Sequence, residues 1–180
     1  MNTPDLITIF GNISRSLYPV QHLITGFAYL LGITFFITAL SKFFKMADQR
    51  AQSSSHGRAF VPLMYLLFGA ALVYLPTTLN IMANTTFGAG NVLTYAKVNP
   101  ADIKSSVGLL IRTAGIVWFI RGCVMLVHAS EPGTQEGPKG LAFLVAGVFA
   151  MNFDNSIAFA NNALDYLAKV TLAVKTSQGF

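Results

Sequence analysis

From Ala59 to Leu75 the chain carries no ionisable side chain except the weakly acidic Tyr65 and Tyr74, and Pro76 closes the run. At about 1.5 Å per helical residue, such a stretch crosses most of a hydrocarbon core of roughly 30 Å. A soluble domain would have to surround it with polar surface, and the composition does not supply one. The chain is 53% hydrophobic and only 11% charged, whereas about a quarter of the residues of a soluble domain are charged. It reads as an all-α integral membrane protein.

Taken in order, the chain divides into apolar runs and polar connectors. Residues 1–16 begin with Thr3-Pro4-Asp5, a helix-start pattern, and place Leu6, Ile9, Phe10, Ile13 and Leu17 at helical spacing. They predict either an amphipathic helix in the membrane interface, set apart by Pro19, or a plain extension of the first spanning helix, which Pro19 should break or kink. Transmembrane helices are expected over 20–40, 59–76, 107–128 and 139–159. The fourth reaches full length only if Leu141–Phe153 continues through Asp154 to Phe159. Ala28 and Gly32 give the first helix a point of close approach. Thr77–Ser106 reads as a long connector, and residues 160–176 as a C-terminal amphipathic helix. The expected fold is one membrane domain, 1–180, of four transmembrane helices in two hairpins with amphipathic segments at both ends.

The two hairpins repeat an order of helix, polar connector, helix. Gly69 echoes Gly147, and His56-Gly57-Arg58 loosely echoes Gly137-Pro138-Lys139. Identity between the halves is too low to separate duplication from the common look of membrane hairpins.

The net charge of +5 is scattered among apolar segments. That pattern reports topology rather than a nucleic-acid surface. Lys42, Lys45, Arg50 and Arg58 crowd the first connector against the single Asp48, so the first and third connectors are expected in the cytoplasm. A plain count of flanking cations is equal on the two sides, and the density around the first connector decides the orientation. The N-terminus lacks the pattern of a cleaved signal peptide, so the first membrane segment is expected to be retained.

Small residues mark the helix-packing faces. Gly108, Gly115, Gly122 and Ala129 recur at intervals of seven, and Ala142, Ala146 and Ala150 at intervals of four, with Asp154 as the next step. The glycine face of the third helix is expected to pack on this alanine stripe, and Gly69 to mark a contact on the second helix. Arg112 and Asp154 then lie at the same height, about 23 Å from the loop end, and are expected to pair within the membrane. Arg121 projects from nearly the opposite side, about 10 Å from that end, where a cation must snorkel, pair or face water. It is a candidate subunit or pore contact.

Little points to chemistry. The single cysteine, Cys123, cannot form an intramolecular disulfide, and His22, His56 and His128 are dispersed. No serine elbow or paired intramembrane carboxylates are visible. The expectation is a protein that is not an enzyme, with no cofactor, metal or small-molecule substrate.

Several stretches together resemble a known family: Gln21-His-Leu-Ile-Thr-Gly26, Ser55-His-Gly57, Pro62-Leu-Met-Tyr-Leu-Leu-Phe-Gly-Ala-Ala-Leu-Val-Tyr-Leu-Pro76 and Gly137-Pro-Lys-Gly-Leu141. They are similar to the small inner-membrane proteins DotE/IcmC, DotV and DotP/IcmD of Dot/Icm type IVB secretion systems, and to TraQ-type conjugation proteins. The resemblance covers roughly residues 20 to 150. It implies a multi-pass subunit of the bacterial inner membrane that assembles with other membrane subunits of a secretion or conjugation machine. No catalytic residues carry over, and no Walker motif is present, so energy would come from partner ATPases. The competing reading is a small channel or transporter subunit, in which Gln21 and Arg121 would face water.

Overall fold

The computed structural model describes residues 6–50, 59–88 and 103–177. The described elements are all helices: α1 (Leu6–Arg50), α2 (Phe60–Val73), α3 (Leu75–Phe87), α4 (Ile103–Ala129), α5 (Gly137–Met151) and α6 (Phe153–Ser177). The expected helix start at Thr3–Asp5, the His56–Arg58 segment and the connector beyond Gly88 lie outside the described residues.

α1 overturns the separate interfacial helix and the break expected at Pro19 and agrees with the extension, because it is one helix of 45 residues with that proline inside it. Proline deletes one backbone hydrogen bond and crowds the preceding turn. Here its ring is exposed, and the helical residues on both sides carry the chain through. The described part of the segment expected as an interfacial helix, residues 6–16, is therefore continuous with the first long apolar segment.

The second and fourth apolar runs are not straight. α2 and α3 meet at 97°, and so do α5 and α6. Pro76 does not end a helix; it opens α3 from one of its first two positions, where a missing backbone donor costs nothing. Leu75, Leu79 and Ala83 then bury one side of α3, so the first part of the expected connector is helical. Likewise α6 begins at Phe153 rather than at residue 160.

The two bends are built alike. Tyr74 has φ −102° and ψ 40°, and Asn152, its counterpart 78 positions later, has φ −104° and ψ 46°. The Thr78 hydroxyl donates to the Ala71 carbonyl across the first bend at 3.1 Å. The Ser156 hydroxyl donates to the Phe149 carbonyl across the second at 2.7 Å. Each hydroxyl thus occupies a carbonyl that the broken helix leaves without its backbone donor. Both pairs keep the same 78-residue spacing.

The crossings that precede the bends are also alike. A Cβ added at Gly32 would meet Gly69 O and Val73 N, both at 2.8 Å; one at Gly115 would meet Gly147 O at 3.0 Å and Met151 N at 2.8 Å. The reciprocal pair agrees: a Cβ at Gly69 would meet Gly32 O and Phe36 N, and one at Gly147 would meet Gly115 O and Phe119 N. The first half, α1 with α2–α3, is therefore repeated by the second, α4 with α5–α6. The register shift is 83 residues between the long helices and 78 between the bent ones.

α1 and α4 run parallel, since Gln21 bonds Thr113 near one end and Lys42 bonds Glu131 near the other. α4 touches both α1 and α2. The common core forms there from Ala28, Leu72, Leu75, Ile116, Phe119 and Cys123 among others. Both bends lie at the Gln21 end, and the Glu131 turn lies at the opposite end. By length and composition the described residues hold two helices able to cross a membrane, or up to four if each bent pair is one span.

Candidate functional site: the helix-packing surfaces

Among the glycines of the described residues, the closest approach is the line of backbone against backbone between α4 and α5. A Cβ at Gly122 would sit 2.6 Å from Leu144 N and 2.9 Å from Gly140 O, and Gly115 and Gly147 are as close to their partners. No real Cβ tolerates these distances, so the helix axes approach this closely only with glycine at each position. Gly108 is different, because a Cβ there would meet only Phe153 at 3.8 Å.

The face that α5 presents is not the alanine stripe. Gly140, Leu144, Gly147, Val148 and Met151 are buried, whereas Ala142 is exposed and Ala146 and Ala150 are half-buried. Ala150 only flanks the crossing, with its methyl 2.9 Å from the position of a Gly115 Cβ. The physical reason is approach distance: two glycines facing each other let the axes come nearer than a glycine facing an alanine. Steps of four in the alanine pattern hid the mixed steps of four and three in the residues that meet α4. Gly69 has the corresponding place on α2, against Gly32.

Arg112 and Asp154 are brought together, the guanidinium Nη2 donating to the Asp154 carboxylate. Their meeting has a different geometry from a straight fourth helix, because Asp154 stands in the first turn of α6, beyond the bend. There the partial positive charge of the helix start also favours a carboxylate. The arginine side chain is 19% exposed and the aspartate 72%, so the pair sits at the surface near the bends.

Arg121 points away from the core. Its guanidinium carbon lies 4.9 Å from the centre of the Phe143 ring, and no acidic group pairs with it among the described residues. Gln21, by contrast, lies between helices, its amide donating to the Thr113 hydroxyl at 2.7 Å. The two residues do not face a shared passage.

A polar cluster that sequence reasoning missed closes the opposite end. Glu131 accepts from Lys42 Nζ at 3.0 Å and from the Tyr65 hydroxyl at 2.7 Å, and Lys42 lies 4.8 Å from the centre of the Tyr65 ring. The Tyr65 and Lys42 hydrogen bonds hold the Glu131 carboxyl below its ordinary value. Gly133, with φ 92°, makes the turn that returns the chain toward α5. The only sequence signal was an acidic residue in a short loop. Its partners lie 66 and 89 residues away in the chain.

A small cavity of about 90 Å³ lies where α1, α3, α4 and α5 meet, lined by Thr25, Leu79, Asn80, Ile116 and Met151 among others. Asn80 Oδ1 is buried with no hydrogen-bond partner among the described residues. No group of three or more metal-ligating side chains occurs among the described residues. Cys123 is buried in the core.

Comparison with protein-family models, with curated proteins and with solved structures finds no match. What the structure itself establishes is an all-helical chain whose apolar helices are compatible with a membrane location, folded as two halves of one design.

Proposed function

We propose that this chain is a structural subunit of the bacterial inner membrane whose task is to pack against other membrane helices in a secretion or conjugation apparatus of the Dot/Icm type. The observation that carries the packing role is the repeated glycine crossing: two hairpins locked backbone to backbone, which leave long apolar faces turned outward. Leu23, Leu30, Ile37 and Phe44 of α1 are 60%, 60%, 58% and 70% exposed, a surface suited to lipid or to another helix. The assignment to a secretion machine rests on the sequence resemblance alone.

In this reading α1 and α4 cross the bilayer fully, and each bent pair, α2–α3 and α5–α6, crosses most of it before turning. α2 and α5, with 14 and 15 residues, are about 21 and 22 Å long and fall short of a 30 Å core. They turn at 97° roughly 8 Å below the far interface, the depth at which amphipathic helices bury their apolar faces. α3 and α6 then lie along that interface. The cationic end with Lys42 and Lys45 is cytoplasmic by the positive-inside rule.

The channel reading has less support, since Gln21 is engaged with Thr113 and Arg121 lies on the outer surface. Purification in mild detergent, with mass measurement and identification of co-purifying proteins, separates the two. A complex heavier than the single chain, containing other membrane subunits of the apparatus, is expected. A stable monomer that passes solutes when placed in liposomes would contradict the proposal.

A further inference from the structure

The two halves of this chain bind one another asymmetrically. α4 fills the groove between α1 and α2, and α3 touches α5. A two-fold relation between the halves would also require α1 to fill the groove between α4 and α5. Among the described residues α1 and α5 make no comparable contact. The contact is therefore head-to-tail, and a head-to-tail contact between like units leaves one copy of each surface unused.

The repeat locates both unused surfaces. α4 enters its groove with Ser106, Thr113, Ile120 and Val127, which are buried or pack into the core. The residues 83 positions earlier are Leu23, Leu30, Ile37 and Phe44, all well exposed. The groove that receives α4 uses Phe68 and Leu72 of α2 and Leu31 and Phe35 of α1. Their counterparts are Ala146 and Ala150 of α5 and Ala114 and Trp118 of α4, half-buried or exposed. Exposure in a membrane protein says only that a surface meets lipid or protein.

We infer that a second copy of this chain docks head to tail, the α1 of one copy filling the α4–α5 groove of the next as α4 fills the α1–α2 groove within one chain. The charges agree with this placement. Within the chain, Glu131 meets the cation that lies over the Tyr65 ring. In the next groove the counterpart ring is Phe143, and Arg121 lies over it without an acidic partner among the described residues. Asp48, 83 positions before Glu131 and exposed, is the carboxylate that α1 carries, still within the helix, so docking brings it to the same end of the groove as that guanidinium. Repetition of one such contact closes a ring or extends a filament.

The inference rests on the proposed membrane location, and the test keeps the two apart. In a Cys123→Ser background, two differently tagged chains, one Asp48→Cys and the other Arg121→Cys, are produced together and oxidised in isolated membranes. A disulfide-linked heterodimer is expected, and likewise from Ile37→Cys with Ala146→Cys. The exposed pair Leu63→Cys with Arg121→Cys should give none. Chains found in the membrane fraction but never cross-linked at either docking pair would overturn the docking while leaving the membrane reading intact. Chains absent from the membrane fraction would overturn both. As a second test free of cysteine chemistry, Asp48→Arg should weaken self-association in detergent severalfold. Adding Arg121→Asp to the same chain should restore it, and failure of the double variant to recover would count against the ion pair.

Discussion

At the scale of single residues, close approach and one carboxylate dominate. Replacing Gly115 or Gly147 by Ala places a methyl within 3.0 Å of opposing backbone, and overpacking of this kind costs on the order of 1–3 kcal/mol. Thermal unfolding in mild detergent should show that loss. Gly26→Ala, where nothing lies within 4 Å, should leave stability unchanged or raise it by up to about 1 kcal/mol, the helix-propensity difference between the two residues. Glu131 provides a pH signature. Its pKa is lowered in the folded state, first by the Tyr65 hydrogen bond and then by the Lys42 hydrogen bond, so the folded protein binds its proton less readily than the unfolded chain. The stabilisation is complete above the ordinary value of 4.5 and is lost as pH falls through the lower folded value. Glu131→Gln should remove this acid-dependent part of the melting curve while leaving the curve at neutral pH lower than that of the parent.

At the scale of elements, the bends determine the architecture. Thr78→Val and Ser156→Ala each delete a hydroxyl that occupies a carbonyl across a bend, and each should cost about 1 kcal/mol. Because the two bends are separate, the double variant should show the sum of the two losses, measured by the same melting experiment. Much of this level was legible in the sequence: the long apolar helices, the glycines at sevens in α4, and the echo of Gly69 in Gly147. The bends were not. Tyr74 and Asn152 are unlike residues and neither is glycine or proline, so the residue at each bend does not by itself announce a break. The break shows only in the shared pair of residues four positions on, Thr78 and Ser156, whose hydroxyls reach back seven positions. Pro76 was ambiguous for a physical reason, since proline both follows helix ends and opens helices. The meeting of Arg112 with Asp154 illustrates the same limit. Their nearness was readable from height along straight helices, but the route, through the first turn of a perpendicular α6, was not.

At the scale of the whole molecule, two glycine-locked hairpins join into a bundle with a polar cap at the Glu131 end and two perpendicular helices at the other. α6 is the element that most sharply distinguishes this arrangement from four straight spans. Its residues from Ile157 to Thr176 are exposed throughout. Ile157, Leu164, Leu167 and Val174 gather within about 100° of the helix circumference, with Asp165 and Lys169 away from them and Asn161 at the boundary. The decisive measurement is the bilayer depth of spin labels placed singly at Ile157, Leu164 and Val174 in a Cys123→Ser background, read from the ratio of oxygen to nickel-chelate relaxation. An α6 lying along the interface predicts one shallow depth for all three, about 5–10 Å below the headgroups, with a label at Asp165 exposed to water. A steady change in depth of about 25 Å from Ile157 to Val174, the mark of a helix crossing the membrane, would contradict it.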